Sequence, residues 1–136
     1  MDKHIIPTDA APAPIGPYSQ AVMVNGTLYI SGQIPIDPAT SLVIMGDIEA
    51  ETRQVMENLG AILRAYGLDH SHIVKTTIFI MDMNDFSRIN AVYGSFFTKD
   101  FPARETVQVS RLPKDVQVEI SCIAATPPNP PQRGGL

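Results

Sequence analysis

The chain has 136 residues, one cysteine and a formal net charge of −4, with 44% hydrophobic and 18% charged residues. Those values describe one ordinary globular core and exclude a chain disordered throughout. The acidic balance without a clustered basic face argues against a nucleic-acid surface, no apolar run approaches a membrane span, and the lone Cys122 excludes an internal disulfide.

The first residues, Asp2, Lys3 and His4, lead into prolines at positions 7, 12, 14 and 17. A secretory leader needs an apolar run there, so a cytoplasmic location is expected, in keeping with the single thiol. Tyr18 to Val24 and Thr27 to Gln33 read as strands joined by Asn25-Gly26, a dipeptide suited to the positive φ angles of a two-residue hairpin turn. Asp37 to Ser41 forms a second turn before Leu42 to Met45.

From Asp47 to Tyr66, Ile48, Val55, Met56, Leu59, Ile62, Leu63 and Tyr66 recur at helical spacing, with Asp47 as N-cap and Gly67 as stop. Ile73 to Met81 is the next strand. Asn84 is then expected to cap a second helix with the stripe Phe86, Ile89, Tyr93, Phe96 and Phe97. Strands Glu105 to Ser110 and Val116 to Ala125 follow, separated by a turn at Leu112 to Asp115. One sheet with both helices on one face is the economical packing, an α+β arrangement.

Alternation along the last strand puts Val116, Val118, Ile120 and Cys122 under the helices and Gln117, Glu119 and Ser121 on the opposite face. The Ile73 strand is apolar on both sides at its far end, with Ile78 and Ile80 opposed to Phe79 and Met81. Its second face therefore needs cover, which another subunit is expected to supply. The tail, Thr126 to Leu136, is rich in proline and glycine and reads as extended; Pro128 to Arg133 also fits the PxxP-basic pattern bound by SH3 domains, a pattern common by chance.

Two residues carry the chemistry. Arg104 ends Phe101-Pro102-Ala103-Arg104 at the mouth of a strand, and Glu119 is the lone acid within the apolar stretch Val116 to Ala125. A guanidinium can grip a carboxylate through two parallel hydrogen bonds, and a half-buried carboxylate can take a proton from water. Together they suggest a site for a small anionic acid. The competing structural reading is an ion pair tying two adjacent strands. His70 and His72 lack further ligands for a metal set and read as exposed loop residues, and Arg111 and Lys114 as surface or interface charges around a turn.

Ile15 to Ala21, Tyr29 to Gln33, Val74 to Thr77, Phe101 to Arg104, Arg111 to Lys114 and Val118 to Ile120 resemble, in order, the motifs of the Rid family, also called YjgF. The resemblance runs from about Ile15 to Ala125. It implies a single domain over residues 1–125, a chorismate-mutase-like α+β fold, and a homotrimer whose sheets enclose a barrel, with active sites in the clefts between subunits. It also implies hydrolysis of 2-iminobutanoate or 2-iminopropanoate to the 2-keto acid and ammonia, without metal or cofactor.

By the same resemblance Arg104 binds the substrate carboxylate, Glu119 activates water, and Tyr18 holds substrate or water through its hydroxyl. Ser31, Gly32 and Gln33 shape the pocket floor, while Thr106, where many bacterial relatives have cysteine, contributes its backbone. Asn90 lies nearby. Each has a plainer reading: Tyr18 as a packing residue, Gly32 as a strand bulge, Asn90 as a polar helix residue. Buried Cys122 is read as inert. Other functions implied for the family are a non-catalytic regulatory or chaperone-like module, a sibling deamination such as that of 2-aminomuconate or a step in pyrimidine breakdown, and RNA cleavage. The last is disfavoured by the acidic charge and the lack of a paired-histidine acid/base site.

Overall fold

The computed structural model describes residues 1–127, so the SH3-like motif at Pro128 to Arg133 lies outside the described residues. β1 (Ala21–Val24) and β2 (Thr27–Gln33) form the expected hairpin. Its turn residues Asn25 and Gly26 have φ of 50° and 75°, as such a turn requires. β1 begins three residues later than Tyr18, because the chain bends through Gly16 to Tyr18, where the Tyr18 N–H donates to the Gly16 carbonyl at 2.8 Å. β3 (Ile36–Asp37) and β4 (Leu42–Val43) make a small separate hairpin. Ser41 closes its turn at φ 61°, a left-handed conformation that favours glycine.

α1 (Ile48–Ala65) begins at Asp47, whose carboxylate accepts from the Glu49 N–H at 3.0 Å, and is followed by the left-handed Gly67 at φ 75°. β5 (Ile73–Ile80) follows a short turn. α2 (Phe86–Gly94) is not capped by Asn84: Asp82 accepts from the Asn84 N–H and opens a 3-10 turn that leads into the helix. Phe96 and Phe97 of the expected stripe fall beyond the helix but still pack against the core. β6 (Ala103–Gln108) starts two residues early, placing Arg104 within the strand, and β7 (Val118–Ala125) starts two residues late.

The five-stranded sheet has the order β1-β2-β7-β5-β6, and β3-β4 stands apart. β5 and β6 are parallel, with α2 as their crossover, while the other pairs are antiparallel. Both helices cover one face, so the α+β reading holds. Val55, Met56, Leu59, Ile62 and Leu63 of α1 are fully buried against Leu28, Ile78, Ile80, Val118 and Ile120 of the sheet. Each such side chain contributes roughly 1.5–3 kcal/mol. No described helix is long and apolar enough to cross a membrane.

The second face corrects part of the expectation. Phe79 and Met81 are half-buried by this chain itself, packed with Val43 against a smaller cluster of Ile34, Ile36, Leu112 and Val116. The remainder, including Tyr29 and Val107, is open, at 49% and 43% exposure. Buried polar side chains hold the irregular segments. Asn58 Nδ2 donates to the carbonyls of Ile34 and Ile36 at 3.3 and 2.9 Å, Glu51 accepts from the Gln117 N–H at 3.1 Å, and Gln20 binds both Thr8 and Pro12.

Asn58→Ala leaves two carbonyls without their shared donor in a dry environment. It is expected to lower stability by about 1–3 kcal/mol, read as a shift in the urea midpoint at unchanged slope.

Candidate active site

β5 carries the geometry outward in both directions. Thr76 pairs with Arg104 on β6 and with Cys122 on β7, and Phe79 pairs with Val107 and with Glu119. Arg104 shares the helix-covered parity of Thr76, whereas Glu119 shares the opposite parity of Phe79. β5 lies between β6 and β7, which are therefore about 10 Å apart. The two charges thus sit on opposite faces of non-adjacent strands, and an ion pair between them within one chain is excluded.

On the helix side, the guanidinium carbon of Arg104 lies 5.0 Å from the Tyr93 ring centroid and 5.5 Å from that of Phe86. Stacking of this kind orients the planar fork while leaving its N–H donors free. Among the described residues no carboxylate pairs with it. Arg104, Asn90, Tyr93, Gly94, Phe101 and Pro102 line an open cleft of about 280 Å³. Burial pushes the Tyr93 phenol up, opposed by its hydrogen bond with Thr76 and by the Arg104 charge. Thr106, two residues along β6, has a buried hydroxyl with no partner among the described residues.

On the open face, the Glu119 side chain lies over Gly32. A Cβ at position 32 would stand 2.8 Å from the Glu119 carboxyl carbon, so only glycine admits the acid in this position. The β2–β7 register is irregular between Ile30 and Gln33, which turns the Ser31-Gly32 backbone toward it. Burial raises the Glu119 pKa above the usual carboxylate value. The Ser31 hydroxyl donates to the Ser19 carbonyl at 2.6 Å, and Gln33 Nε2 donates to the Ser31 carbonyl at 3.1 Å, so both side chains brace the floor.

Tyr18 is 46% exposed, and its hydroxyl oxygen accepts from the Ile15 N–H at 3.2 Å. That bond occupies a lone pair and leaves the phenolic proton to donate elsewhere. Tyr18, Gln20, Gly32 and Gln33 line a recess of about 20 Å³, room for about one water molecule.

The chain therefore gathers its candidates into two groups. Arg104, Thr106 and Asn90 belong to the helix side, and Glu119, Gly32, Ser31 and Tyr18 to the opposite side and its rim, while Gln33, beyond the register shift, pairs with Ile120 of the core face. Thr76 and Tyr93, the buried pair beside Arg104, look like ordinary core positions in sequence; a threonine at a buried position of an apolar strand is the only local sign of them. The histidines differ from expectation. His70 is packed rather than exposed, its Nε2 lying 2.8 Å from the Met56 carbonyl and its ring against Phe96 and Gly60. His72 accepts from the Asp69 N–H through Nδ1, closing a capping box. Among the described residues no three His, Cys, Asp or Glu side chains gather as metal ligands.

The family described as Endoribonuclease L-PSP matches residues 8–126. A RutC family protein of Pyrococcus horikoshii is 52% identical over 122 residues, covering 90% of this chain and 97% of the relative. The human 2-iminobutanoate/2-iminopropanoate deaminase is 44% identical over 126 residues, covering 93% and 92%. Among solved structures, the Rid-family YyfA protein of Yersinia pestis superposes with a TM-score of 0.90 at 51% identity, covering 92% of this chain and all of that one. Escherichia coli TdcF with bound serine gives 0.88 at 45% identity, covering 91% and 99%. The chain belongs to the Rid (YjgF) family.

Gly32→Ala pushes against the flexible end of Glu119 rather than against backbone. The melting temperature is expected to stay close to that of the parent, while any activity that depends on the Glu119 position falls by about tenfold or more.

Proposed function

We propose that this protein is a hydrolytic deaminase that converts reactive 2-imino acids into 2-keto acids and ammonia, and that it works as a homotrimer with sites shared between subunits. The observation that carries the reading is the placement of an unpaired guanidinium and a burial-raised carboxylate on opposite faces of one sheet. A second copy that packs on the open face and wraps the free edge of β6 would bring the Glu119 group of one chain to the Arg104 group of the next. The exposed Tyr29 and Val107 give such a contact its apolar area.

In the shared cleft Arg104 grips the substrate carboxylate and fixes the C=N carbon. Glu119 takes a proton from water, the resulting hydroxide adds to that carbon, and the electron pair of the C=N bond moves to nitrogen. Protonation of nitrogen and breaking of the C–N bond release ammonia, and loss of the remaining hydroxyl proton gives the keto acid. Tyr18 has a free proton to hold the water or the departing nitrogen. A raised Glu119 pKa makes it a stronger base once ionised, and activity should fall as pH drops through a value above 4.5. The relatives named as 2-iminobutanoate/2-iminopropanoate deaminases support the substrate class. A single buried thiol suits a cytoplasmic enzyme.

The test couples a threonine dehydratase, which generates imine in situ, to keto-acid release with and without this protein. Arg104→Lys keeps the charge but loses the fork and is expected to cost roughly 2–4 kcal/mol, or about 30- to 1000-fold. Glu119→Gln should abolish turnover yet retain keto-acid binding. A ligand-binding module without catalysis would bind 2-oxobutanoate and leave imine lifetime unchanged, which would overturn the reading.

Light scattering should report a trimer. Mixing and reassembling the inactive Arg104→Ala and Glu119→Gln chains should restore activity neither shows alone, because some clefts then receive both intact groups; no recovery in reassembled mixed trimers would remove the shared site.

A further inference from the structure

Thr76 is fully buried in the middle of β5, on a face it otherwise shares with Ile78 and Ile80. Its Oγ1 lies 2.7 Å from the hydroxyl of Tyr93, itself 4% exposed in the last turn of α2. Each of these hydroxyls would be costly to bury alone, and each satisfies the other. Valine and phenylalanine would fill the same space with no polar group to satisfy, and the bond itself is worth only about 1 kcal/mol net. Stability alone is thus a weak reason for the pair.

Its position is more informative. Thr76 is the β5 residue paired with Arg104, and the Tyr93 ring is the nearer of the two surfaces on which the guanidinium lies. A closed circuit results: the Arg104 backbone to β5, the Thr76 side chain to the Tyr93 hydroxyl, and the Tyr93 ring back to the Arg104 side chain. The circuit ties helix, strand and guanidinium together. Phe97, 5.0 Å from Tyr93 between ring centroids, packs against the ring.

We propose that Thr76 and Tyr93 are positioning residues that set the plane of the Arg104 guanidinium for two-point binding of the substrate carboxylate. The proposal rests on the carboxylate-binding role of Arg104 given above. Without the hydroxyl bond the ring keeps its volume but loses its fixed tilt, and the fork loses its reference surface. The effect falls on carboxylate binding, which Arg104 serves, more than on the water chemistry assigned to Glu119.

Thr76→Val, Tyr93→Phe, Thr76→Ser and Arg104→Ala would be compared by calorimetric binding of 2-oxobutanoate, by KM and kcat in the coupled assay, and by thermal melting. Thr76→Val and Tyr93→Phe are expected to weaken binding and raise KM by about 3- to 10-fold with kcat within about twofold. Thr76→Ser, which keeps the hydroxyl, should bind like the parent. Combining Thr76→Val with Arg104→Ala should add no further loss. If Thr76→Val and Tyr93→Phe change only the melting temperature while Arg104→Ala still weakens binding, the pair is structural and the proposal is overturned. Unchanged binding in Arg104→Ala would instead remove the anchoring role itself, and the proposal with it.

Discussion

The hydrogen bonding of β7 along both edges is the constraint on which the rest depends. With β2 on one side and β5 on the other, its alternation is locked: Val118, Ile120, Cys122 and Ala124 enter the core while Glu119 and Ser121 face away. A slip of one residue would bury Glu119 under α1 and expose the apolar set, so register is held by the full hydrophobic energy of the face. β5 passes the same commitment to β6, and Arg104 inherits the helix side through its pairing with Thr76. The separation of the two charges is a property of the sheet, independent of any loop.

The chain accepts electrostatic cost to keep these positions. Glu51 is 1% exposed, and burial raises its pKa even though it accepts from the Gln117 backbone. Glu119 is raised for the same cause. A carboxyl raised in the folded state holds its proton more tightly there than in the unfolded chain. Its contribution to stability is therefore most favourable below the ordinary value of 4.5 and declines as pH rises through the folded value. At neutral pH both groups work against folding, and the apolar burial around α1 offsets them. For Glu51 the return is a fixed entry into β7, for Glu119 a stronger base.

Local patterns account for most of the elements. Helical spacing from Ile48 to Leu63, the Asp47 cap, Gly67 and the Asn25-Gly26 turn all declare themselves in order along the chain, because each is set by neighbours within a few residues. What local pattern cannot contain is strand order, and the supposed Arg104–Glu119 ion pair failed for that reason: β5 comes between two strands that are consecutive in sequence. The α2 cap was ambiguous for a different reason, since Asp82, Asn84 and Asp85 compete within four positions and the first of them takes the 3-10 turn. The packing of His70 left one trace, a glycine inside a helix at position 60, a residue that costs about 1 kcal/mol there unless something must approach closely. The family motifs marked the candidate residues, but their division between two faces emerged only with the sheet.

Asn58, Glu51, Gln20 and Tyr66 all reach past side chains to hold main-chain groups: the carbonyls of Ile34, Ile36, Pro12 and Ala21 and the N–H groups of Gln117, Thr8 and Ile6. A tether to a peptide group does not depend on what residue carries that group. Ile34, Ile36 and Pro12, which wall the small recess beside Gly32, can therefore be exchanged for other apolar residues without cutting the cords that set their path. The architecture separates the track of the recess from its texture, so its walls can diverge in shape while the chain still folds along the same course.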